Sequence, residues 1–298
     1  MIRSYLFVPG DSTRKFERAM TGNADALILD LEDSVAAENK AQARETTRAM
    51  LDADRAGKVL FVRVNALDTG LTLADLAVVM PGRPDGIVLP KCSCADDLRR
   101  IDHYLDAFEA AAGIEAGRTR VMGIATETAE SLFRLGDYRG VSARLSAMMW
   151  GAEDLSASLG AIRSRDENGY LGGFQLARNL CLAGAAAAGV DPVDTVYVDI
   201  EDLDGLRSET LAARRDGFVA KAVIHPKHID VVNAAFLPGD DEVTWARRVL
   251  EAISASAGVG VVRLDGKMID QPHVKSAHRI LAAAERAAQR GGDTQAAR

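Results

Sequence analysis

The segment that decides the fold is Arg120–Leu155, RVMGIATETAESLFRLGDYRGVSARLSAMMWGAEDL. It contains two short apolar runs, VMGIAT and LSAMMW, and Glu127 follows the first while Glu153 and Asp154 follow the second. If the runs are neighbouring parallel strands, these acids meet at one edge, and Mg²⁺ is usually held by one or two carboxylates plus substrate oxygens and water. The same acids could instead open the helices that follow, where negative side chains are favourable.

Similar runs recur along the chain and alternate with helix-like stretches. The eight runs predicted to be strands are YLFVP (5–9), ALILDL (26–31), VLFVRVN (59–65), GIVLPK (86–91), VMGIAT (121–126), LSAMMW (145–150), TVYVDI (195–200) and VAKAVIHP (219–226). Because they are apolar almost throughout, they indicate strands buried on both faces. The predicted fold class is therefore α/β, a (β/α)₈ TIM barrel over residues 1–236. A doubly wound open sheet is the alternative, and the lack of a Gly-x-Gly-x-x-Gly turn after the first run excludes only dinucleotide binders.

The last part of the chain, 237–298, exceeds what a barrel needs. We expect a break followed by a helix over 243–257, a hairpin-like piece over 258–270 and a final helix over 273–289. This C-terminal extension is predicted to act as a lid on its own barrel or on a neighbour's. The end, RGGDTQAAR, is expected to be a frayed tail.

The composition and net charge limit the classes of partner that the protein is expected to bind. The 298 residues are 48% hydrophobic and 27% charged, with a net charge of −7, which argues against general nucleic-acid binding because that function needs a basic face. A local basic pocket for an anionic small ligand remains compatible with this charge. No apolar run approaches the roughly 20 residues that span a bilayer, and the first apolar run is too short for a secretory signal. We expect a cytoplasmic protein with no membrane partner.

Residues suited to chemistry gather where the predicted strands end, which is where barrel enzymes place their active sites. They are Asp30, Glu32, Asp33, Arg63, Asn65, Lys91, Glu127, Glu153, Asp154, Asp199 and His225. Some could be structural, since helix caps and loop salt bridges use the same residue types. Arg63 could pair with Asp30 or Glu32, Lys91 could contact substrate or the barrel rim, and His225 could be a base or a packing residue.

Several segments together resemble the citrate lyase beta subunit-like branch of the HpcH/HpaI aldolase family, which includes malyl-CoA, β-methylmalyl-CoA and citramalyl-CoA lyases. The matching segments are RSYLFVPGDSTRKFERA, ADALILDLEDSV, FVRVNALDTG, GIVLPK, ATETAES, WGAEDLSASLG, DTVYVDIEDLDGLRSE, KAVIHPKHI and GKMIDQP. They span nearly the whole chain. The resemblance is therefore specific for the family, and much less specific for the substrate.

The resemblance implies roles for particular residues. Glu127 and Asp154 match the two ligands of Mg²⁺, for which Mn²⁺ is a possible substitute. Arg63 matches the substrate-binding and catalytic arginine of the RVN motif. Asp270, in the MID-x-P motif, matches an acid/base that reaches a neighbouring subunit's site, in a family that is typically a homotrimer or a larger assembly of trimers.

Other residues are expected to contact substrate or to support those that do. Phe7 and Arg14, with Lys15, resemble the part of the family that meets CoA. The N–H groups of Gly151 and Ala152 would suit a substrate carboxylate at the start of a helix. Asp30, Glu32 and Asp33 are expected to hold Arg63 or metal-bound water from behind.

The activity implied is that of a carbon–carbon lyase of the oxo-acid-lyase type. It would cleave a short 3-hydroxyacyl-CoA into an acyl-CoA and a small 2-oxo acid, glyoxylate or pyruvate, or run the reverse Claisen-type condensation. A citrate lyase beta subunit acting on an acyl-carrier-protein thioester inside a complex is the first alternative. A catalytically silent barrel that serves as a scaffold is the second.

Overall fold

The computed structural model describes residues 2–167, 169–256 and 260–296. The chain forms two compact units, one over Ile2–Asn233 and one over Ala234–Arg298. Among the helices that the structure describes, none is long and apolar enough to cross a membrane.

The first unit contains a closed barrel of parallel strands, as the sequence predicts. In chain order, the strands of this unit are β1 (Ser4–Pro9), β2 (Ala26–Asp30), β3 (Val59–Arg63), β4 (Gly86–Leu89), β5 (Arg120–Ile124), β6 (Leu145–Met149), β7 (Arg165–Asp166), β8 (Gly169–Tyr170), β9 (Asp191–Asp194) and β10 (Ala220–Val223). The barrel order is β1-β10-β9-β6-β5-β4-β3-β2, and β7 and β8 form a separate antiparallel hairpin. All carboxyl ends of the barrel strands therefore lie at one rim.

Helices connect the strands around the barrel, as expected for a (β/α)₈ fold. They are α1 (Thr13–Met20), α2 (Lys40–Asp52), α3 (Thr72–Val79), α4 (Ala95–Ala112), α5 (Glu153–Leu159), α6 (Gly172–Ala188), α7 (Leu203–Asp216) and α8 (Lys227–Ala235). Short 3₁₀ turns at Glu130–Phe133 and Leu135–Tyr138 replace a helix between β5 and β6. The bounds of α4 follow from its sequence, since Asp96 lies in its first turn and Gly113, with φ +61°, ends it.

Apolar side chains fill the inside of the barrel. Ile28, Phe61, Met122 and Met149 belong to this cluster and are buried. On β2 the alternate residue Leu27 is equally buried, because helices cover the outer face of the sheet. Burial of each such side chain contributes roughly 1.5–3 kcal/mol, so the core holds the strand ends in fixed positions.

The seventh barrel strand was predicted wrongly. The run TVYVDI (195–200) contains the strand-favouring residues, yet β9 is Asp191–Asp194 and 195–199 has no strand structure. Pairing with two neighbours overrides propensity here: β9 is hydrogen-bonded to both β6 and β10. Pro192 has no N–H to donate, but its carbonyl accepts the Val219 N–H at 3.1 Å. Asp199 consequently lies beyond the strand, where its side chain accepts the Glu201 N–H at 3.0 Å.

The second unit is built from α9 (Asp240–Ala255), β11 (Val262–Leu264), β12 (Lys267–Ile269) and α10 (Gln271–Ala296). The two strands form an antiparallel hairpin, and its turn is Asp265-Gly266, both with positive φ, as a tight Asp-Gly turn requires. Ala246, Val249 and Ile269 form part of its own small core.

Two predictions about the second unit, the helix–hairpin junction and the frayed tail, fall partly on residues outside the described ranges. The predicted junction of helix and hairpin includes 257–259, which lie outside the described residues. The frayed tail was expected over 290–298; the structure assigns 290–296 to α10, and 297–298 lie outside the described residues. The role of this unit as a lid stays a prediction.

Candidate active site

A cavity of about 400 Å³ lies at the carboxyl ends of the barrel strands. Its lining includes many of the residues singled out from the sequence: Phe7, Asp30, Asp33, Arg63, Glu127, Gly151, Ala152, Glu153 and Asp154. The strands that deliver them are β1, β2, β3, β5 and β6. The closed barrel thus brings together residues that are up to about half the chain apart in sequence.

Arg63 ends β3 and is held by Asp30, which ends the neighbouring β2. Its Nε and Nη2 donate to the two oxygens of Asp30, both at 2.7 Å, so the pair is bidentate and rigid. The guanidinium also lies over the Phe7 ring, 4.8 Å from its centroid. Although burial opposes ionisation, the hydrogen bonds and charge of Arg63 lower the pKa of Asp30, and the same pairing raises the pKa of Arg63 against its burial. Arg63 is therefore a fixed positive charge at the cavity.

Glu32 lies beside this pair and is also buried. Its Oε2 is 3.0 Å from Arg63 Nη1, but outside hydrogen-bonding geometry, and this buried oxygen has no hydrogen-bond partner. Its Oε1 accepts from Lys91 Nζ at 2.7 Å. Burial raises the pKa of Glu32 despite the nearby cations. Asp33 is more exposed and lies 3.5 Å from Arg63 Nη1.

Glu127 follows β5 and is 5% exposed. Its Oε2 accepts a short hydrogen bond from the Lys91 N–H. Burial, with the negative charges of Glu32 and Asp154, raises the pKa of Glu127 to about 8. A buried carboxyl group surrounded by other carboxylates is suited to bind a cation.

Gly151 lets Glu127 approach the end of β6. A Cβ atom at Gly151 would lie 2.8 Å from Glu127 Cγ, closer than packed carbons tolerate. The Gly151 N–H donates to Thr126 Oγ1 at 3.0 Å, so this group, which we expected to bind a substrate carboxylate, already has a partner. Ala152 lines the cavity at the start of α5.

The residues present fit a hard divalent cation bound by two carboxylates. In the described ranges, no group of three or more His, Cys, Asp or Glu side chains is arranged to hold a metal. Glu127 and Asp154 follow adjacent strands and line one cavity, and Mg²⁺ is commonly bound by two carboxylates with substrate and water supplying the other oxygens. The fit is supported by the concentration of negative charge at this point, because Glu32 and Asp154 both act on the buried Glu127.

Among the other predicted residues of the first unit, Arg14 and His225 are not part of the cavity lining. Arg14 is exposed on α1, and His225 accepts the Lys227 N–H at 3.2 Å. In the second unit, Asp270 precedes α10 and its Oδ1 lies 2.6 Å from His273 Nδ1.

Two features of the site were missed by sequence reasoning. Trp150 is fully buried and its Nε1 donates to Asp194 Oδ1 at 2.6 Å, which fixes the segment before Gly151. Asp194 escaped notice because β9 was misplaced. The second feature is the main chain of Lys91, which has φ +49°; nothing in its residue type indicates that conformation.

Comparison with known proteins places the chain in a family. The HpcH/HpaI aldolase/citrate lyase model matches residues 3–226. The chain is 37% identical to the citrate lyase subunit beta of Escherichia coli K12, over 95% of this chain and 93% of that protein. It is 35% identical to a (3S)-malyl-CoA thioesterase of Cereibacter sphaeroides, over 95% and 94%. It is 33% identical to an L-malyl-CoA/beta-methylmalyl-CoA lyase of the same species, again over 95% and 94%.

A solved structure is also similar to this chain, in both fold and sequence. CitE from Mycobacterium tuberculosis, determined in complex with magnesium, acetoacetate and coenzyme A, has a TM-score of 0.79 to this chain. The two are 32% identical, and the match covers 95% of this chain and 98% of CitE. The chain therefore belongs to the HpcH/HpaI aldolase/citrate lyase family of enzymes.

Proposed function

We propose that the protein is a Mg²⁺-dependent carbon–carbon lyase that acts on a short 3-hydroxyacyl-CoA such as malyl-CoA, β-methylmalyl-CoA or citramalyl-CoA. Its products would be an acyl-CoA and glyoxylate or pyruvate, and the reverse condensation would use the same site. The observation that carries the proposal is the placement of Glu127 and Asp154 on adjacent strand ends, in one cavity with Arg63. The malyl-CoA lyase relative supports the substrate class.

Cleavage requires a defined movement of electrons and protons. A base removes the proton of the 3-hydroxyl group, and the C2–C3 bond breaks as the hydroxyl carbon becomes the carbonyl of the oxo acid. The electron pair passes into the thioester carbonyl and gives the enolate of the acyl-CoA, which then takes up a proton at carbon. Mg²⁺, when bound by Glu127 and Asp154, would polarise the oxo acid's oxygen and orient its carboxylate.

Arg63 is proposed to stabilise the negative charge on the thioester oxygen. Its bidentate pairing with Asp30 fixes the guanidinium before substrate arrives, and a preorganised charge costs no reorganisation during the reaction. Phe7, stacked on Arg63, would exclude water from one side and contact the CoA arm, with Arg14 and Lys15 meeting its phosphates. Ala152, at the start of α5, would assist in binding the substrate carboxylate.

Asp270 is proposed as the acid/base that moves the protons. The carboxylate lies at a helix start beside His273, and we propose that it acts on the site of a neighbouring copy in a homotrimer or dimer of trimers. The second unit would then serve as the lid of that site. Mn²⁺ should replace Mg²⁺, because both accept carboxylate and water oxygens.

A citrate lyase beta subunit is the second candidate, favoured by the 37% identity to that protein of Escherichia coli. It would cleave a citryl thioester of an acyl-carrier protein to release oxaloacetate. Hydrolysis of a malyl-CoA thioester is a third outcome, which the thioesterase relative brings in.

The test supplies each 3-hydroxyacyl-CoA and, separately, citryl thioesters of CoA and of carrier protein, with Mg²⁺ or with EDTA. Release of glyoxylate or pyruvate, followed as the phenylhydrazone, is expected with a CoA substrate and Mg²⁺ and not with EDTA. Oxaloacetate from the carrier-protein thioester alone would favour the second candidate. No turnover of any substrate would refute the lyase and indicate a scaffold.

A further inference from the structure

Lys91 contacts both proposed metal ligands through different groups. Its backbone N–H donates to Glu127 Oε2, and its Nζ lies 3.4 Å from Asp154 Oδ1. The same ammonium donates to Glu32 Oε1 at 2.7 Å. One residue therefore joins all three members of what we call the carboxylate cluster, Glu32, Glu127 and Asp154.

The main chain of Lys91 is held in an unusual conformation. Its φ of +49° is rarely adopted by residues with a side chain, and such outliers persist only where the surrounding structure enforces them. Lys91 lies two positions after the end of β4, and its N–H donates to Glu127. The hydrogen bond to Glu127 therefore depends on the backbone and is independent of the side-chain charge.

The ammonium of Lys91 compensates negative charge that Arg63 reaches only in part, since Arg63 Nη1 lies 3.0 Å from Glu32 Oε2. Arg63 commits two of its nitrogens to Asp30. Glu32 and Asp154 are each within 4 Å of Lys91 Nζ, and Glu127 is buried next to them. In the described part of the chain, Lys91 is thus the cationic residue that contacts all three carboxylates.

We propose that Lys91 is a positioning residue whose ammonium stabilises the carboxylate cluster of the metal-free protein and gives up Asp154 when the metal binds. The inference rests on the proposed metal role of Glu127 and Asp154. Two cations that share one set of carboxylates repel each other at short range. The Lys91 side chain therefore lowers the affinity for Mg²⁺ while it keeps the empty site folded, and it makes metal binding readily reversible.

The variant Lys91→Met tests this directly, because it removes the charge and retains both the N–H and a side chain of similar length. We expect its dissociation constant for Mn²⁺, measured by electron paramagnetic resonance, to fall by about tenfold relative to wild type. The Tm in EDTA should fall, and the difference from wild type should shrink at saturating Mg²⁺. Lys91→Arg, which retains the charge, should bind Mn²⁺ like wild type.

Controls separate this inference from the proposed function. Lys58→Met removes a lysine whose Nζ donates to the Gly22 and Ala24 carbonyls, and its Mn²⁺ affinity should be unchanged. Unchanged or weaker Mn²⁺ binding by Lys91→Met would overturn the role of Lys91 and leave the lyase intact. If wild type binds no Mn²⁺, or if Glu127→Gln binds it equally well, both the inference and the proposed metal site fail.

Discussion

At the scale of single residues, the site depends on how Asp30 holds Arg63. Asp30 is 1% exposed and grips the guanidinium with both oxygens, whereas Asp33 is more exposed and only approaches it, at 3.5 Å. The two acids lie three positions apart, yet only Asp30 makes the contacts that fix the orientation of the Arg63 guanidinium. This difference gives a matched pair of substitutions.

We predict that Asp30→Asn lowers kcat by about 100-fold, the usual loss when a preorganised charge is misplaced. The KM for the 3-hydroxyacyl-CoA should change little, because Arg63 is proposed to act on charge that develops during the reaction. Steady-state kinetics with the active 3-hydroxyacyl-CoA measure both values. Asp33→Asn should stay within about threefold of wild type, and an equal loss in both variants would argue against a special role for Asp30.

Gly151 provides a second prediction at this scale. In Gly151→Ala the new Cβ would meet Glu127 Cγ at 2.8 Å, so Glu127 must move. We expect the affinity for Mn²⁺ to fall by at least about tenfold relative to wild type, because changes to the groups that orient a metal ligand usually weaken binding to that extent. The Tm should change little. Gly172→Ala, where the added atom has no neighbour within 4 Å, is the control. Wild-type metal affinity in Gly151→Ala would show that Glu127 is not a ligand.

At the scale of secondary-structure elements, a buried ion cluster joins α4 to the segment before β6. Arg144 is 4% exposed at its side chain and contacts Asp102, Asp106 and Glu109. Burial opposes ionisation of Glu109, but hydrogen bonds from Arg144 and from the Thr119 and Gly117 N–H groups lower the pKa of Glu109 to about 2. The cluster fixes the amino end of β6, whose other end leads to Asp154, a proposed metal ligand.

We predict that Glu109→Gln lowers the free energy of unfolding by about 3 kcal/mol at pH 7, because the substitution removes a negative charge that pairs with the buried Arg144. A carboxyl with a lowered folded-state pKa stabilises the protein above its ordinary value of 4.5 and loses that contribution as pH falls toward about 2. The difference from wild type in urea unfolding should therefore be constant from pH 6 to 8 and shrink below pH 4.5. Asp106→Asn, at a carboxylate 62% exposed, should cost less than about 1 kcal/mol. A difference that grows in acid would contradict this account.

The secondary-structure elements differ in how well they can be predicted from the sequence. The strands before Glu127 and Asp154 were predicted to within a few residues, because buried parallel strands appear as continuous apolar runs. The seventh strand was missed because its sequence, DPVD, has low strand propensity and is held by pairing on both sides. The left-handed backbone of Lys91 could not be predicted, since the residue type carries no signal for that conformation.

At the scale of the whole molecule, the proposed acid/base is not part of the unit that contains the barrel. Asp270 belongs to the second compact unit, over Ala234–Arg298, and we propose that it serves a neighbouring copy. An active site shared between subunits makes each chain incomplete by itself. This property can be tested by mixing two inactive variants.

We predict that Asp270→Asn and Glu127→Gln are each inactive alone and regain activity after they are unfolded together and refolded as a mixture. A site that pairs the intact barrel of one chain with the intact Asp270 of another should form in about a quarter of cases in a randomly mixed ring. Steady-state rates of the mixture, compared with each variant refolded alone, give the answer. Activity no higher than that of the separate variants would place Asp270 on its own chain's site or remove it from catalysis.

Formation of a carbon–carbon bond in the reverse direction is the most direct test of lyase activity. The protein is incubated with Mg²⁺, acetyl-CoA or propionyl-CoA, and ¹³C-labelled glyoxylate or pyruvate, and the CoA thioesters are analysed by mass spectrometry. We predict an intact CoA thioester that carries the label, formed by wild type and lost in Glu127→Gln and with EDTA. Labelled oxo acid that never enters a CoA thioester, with any pair of substrates, would contradict it.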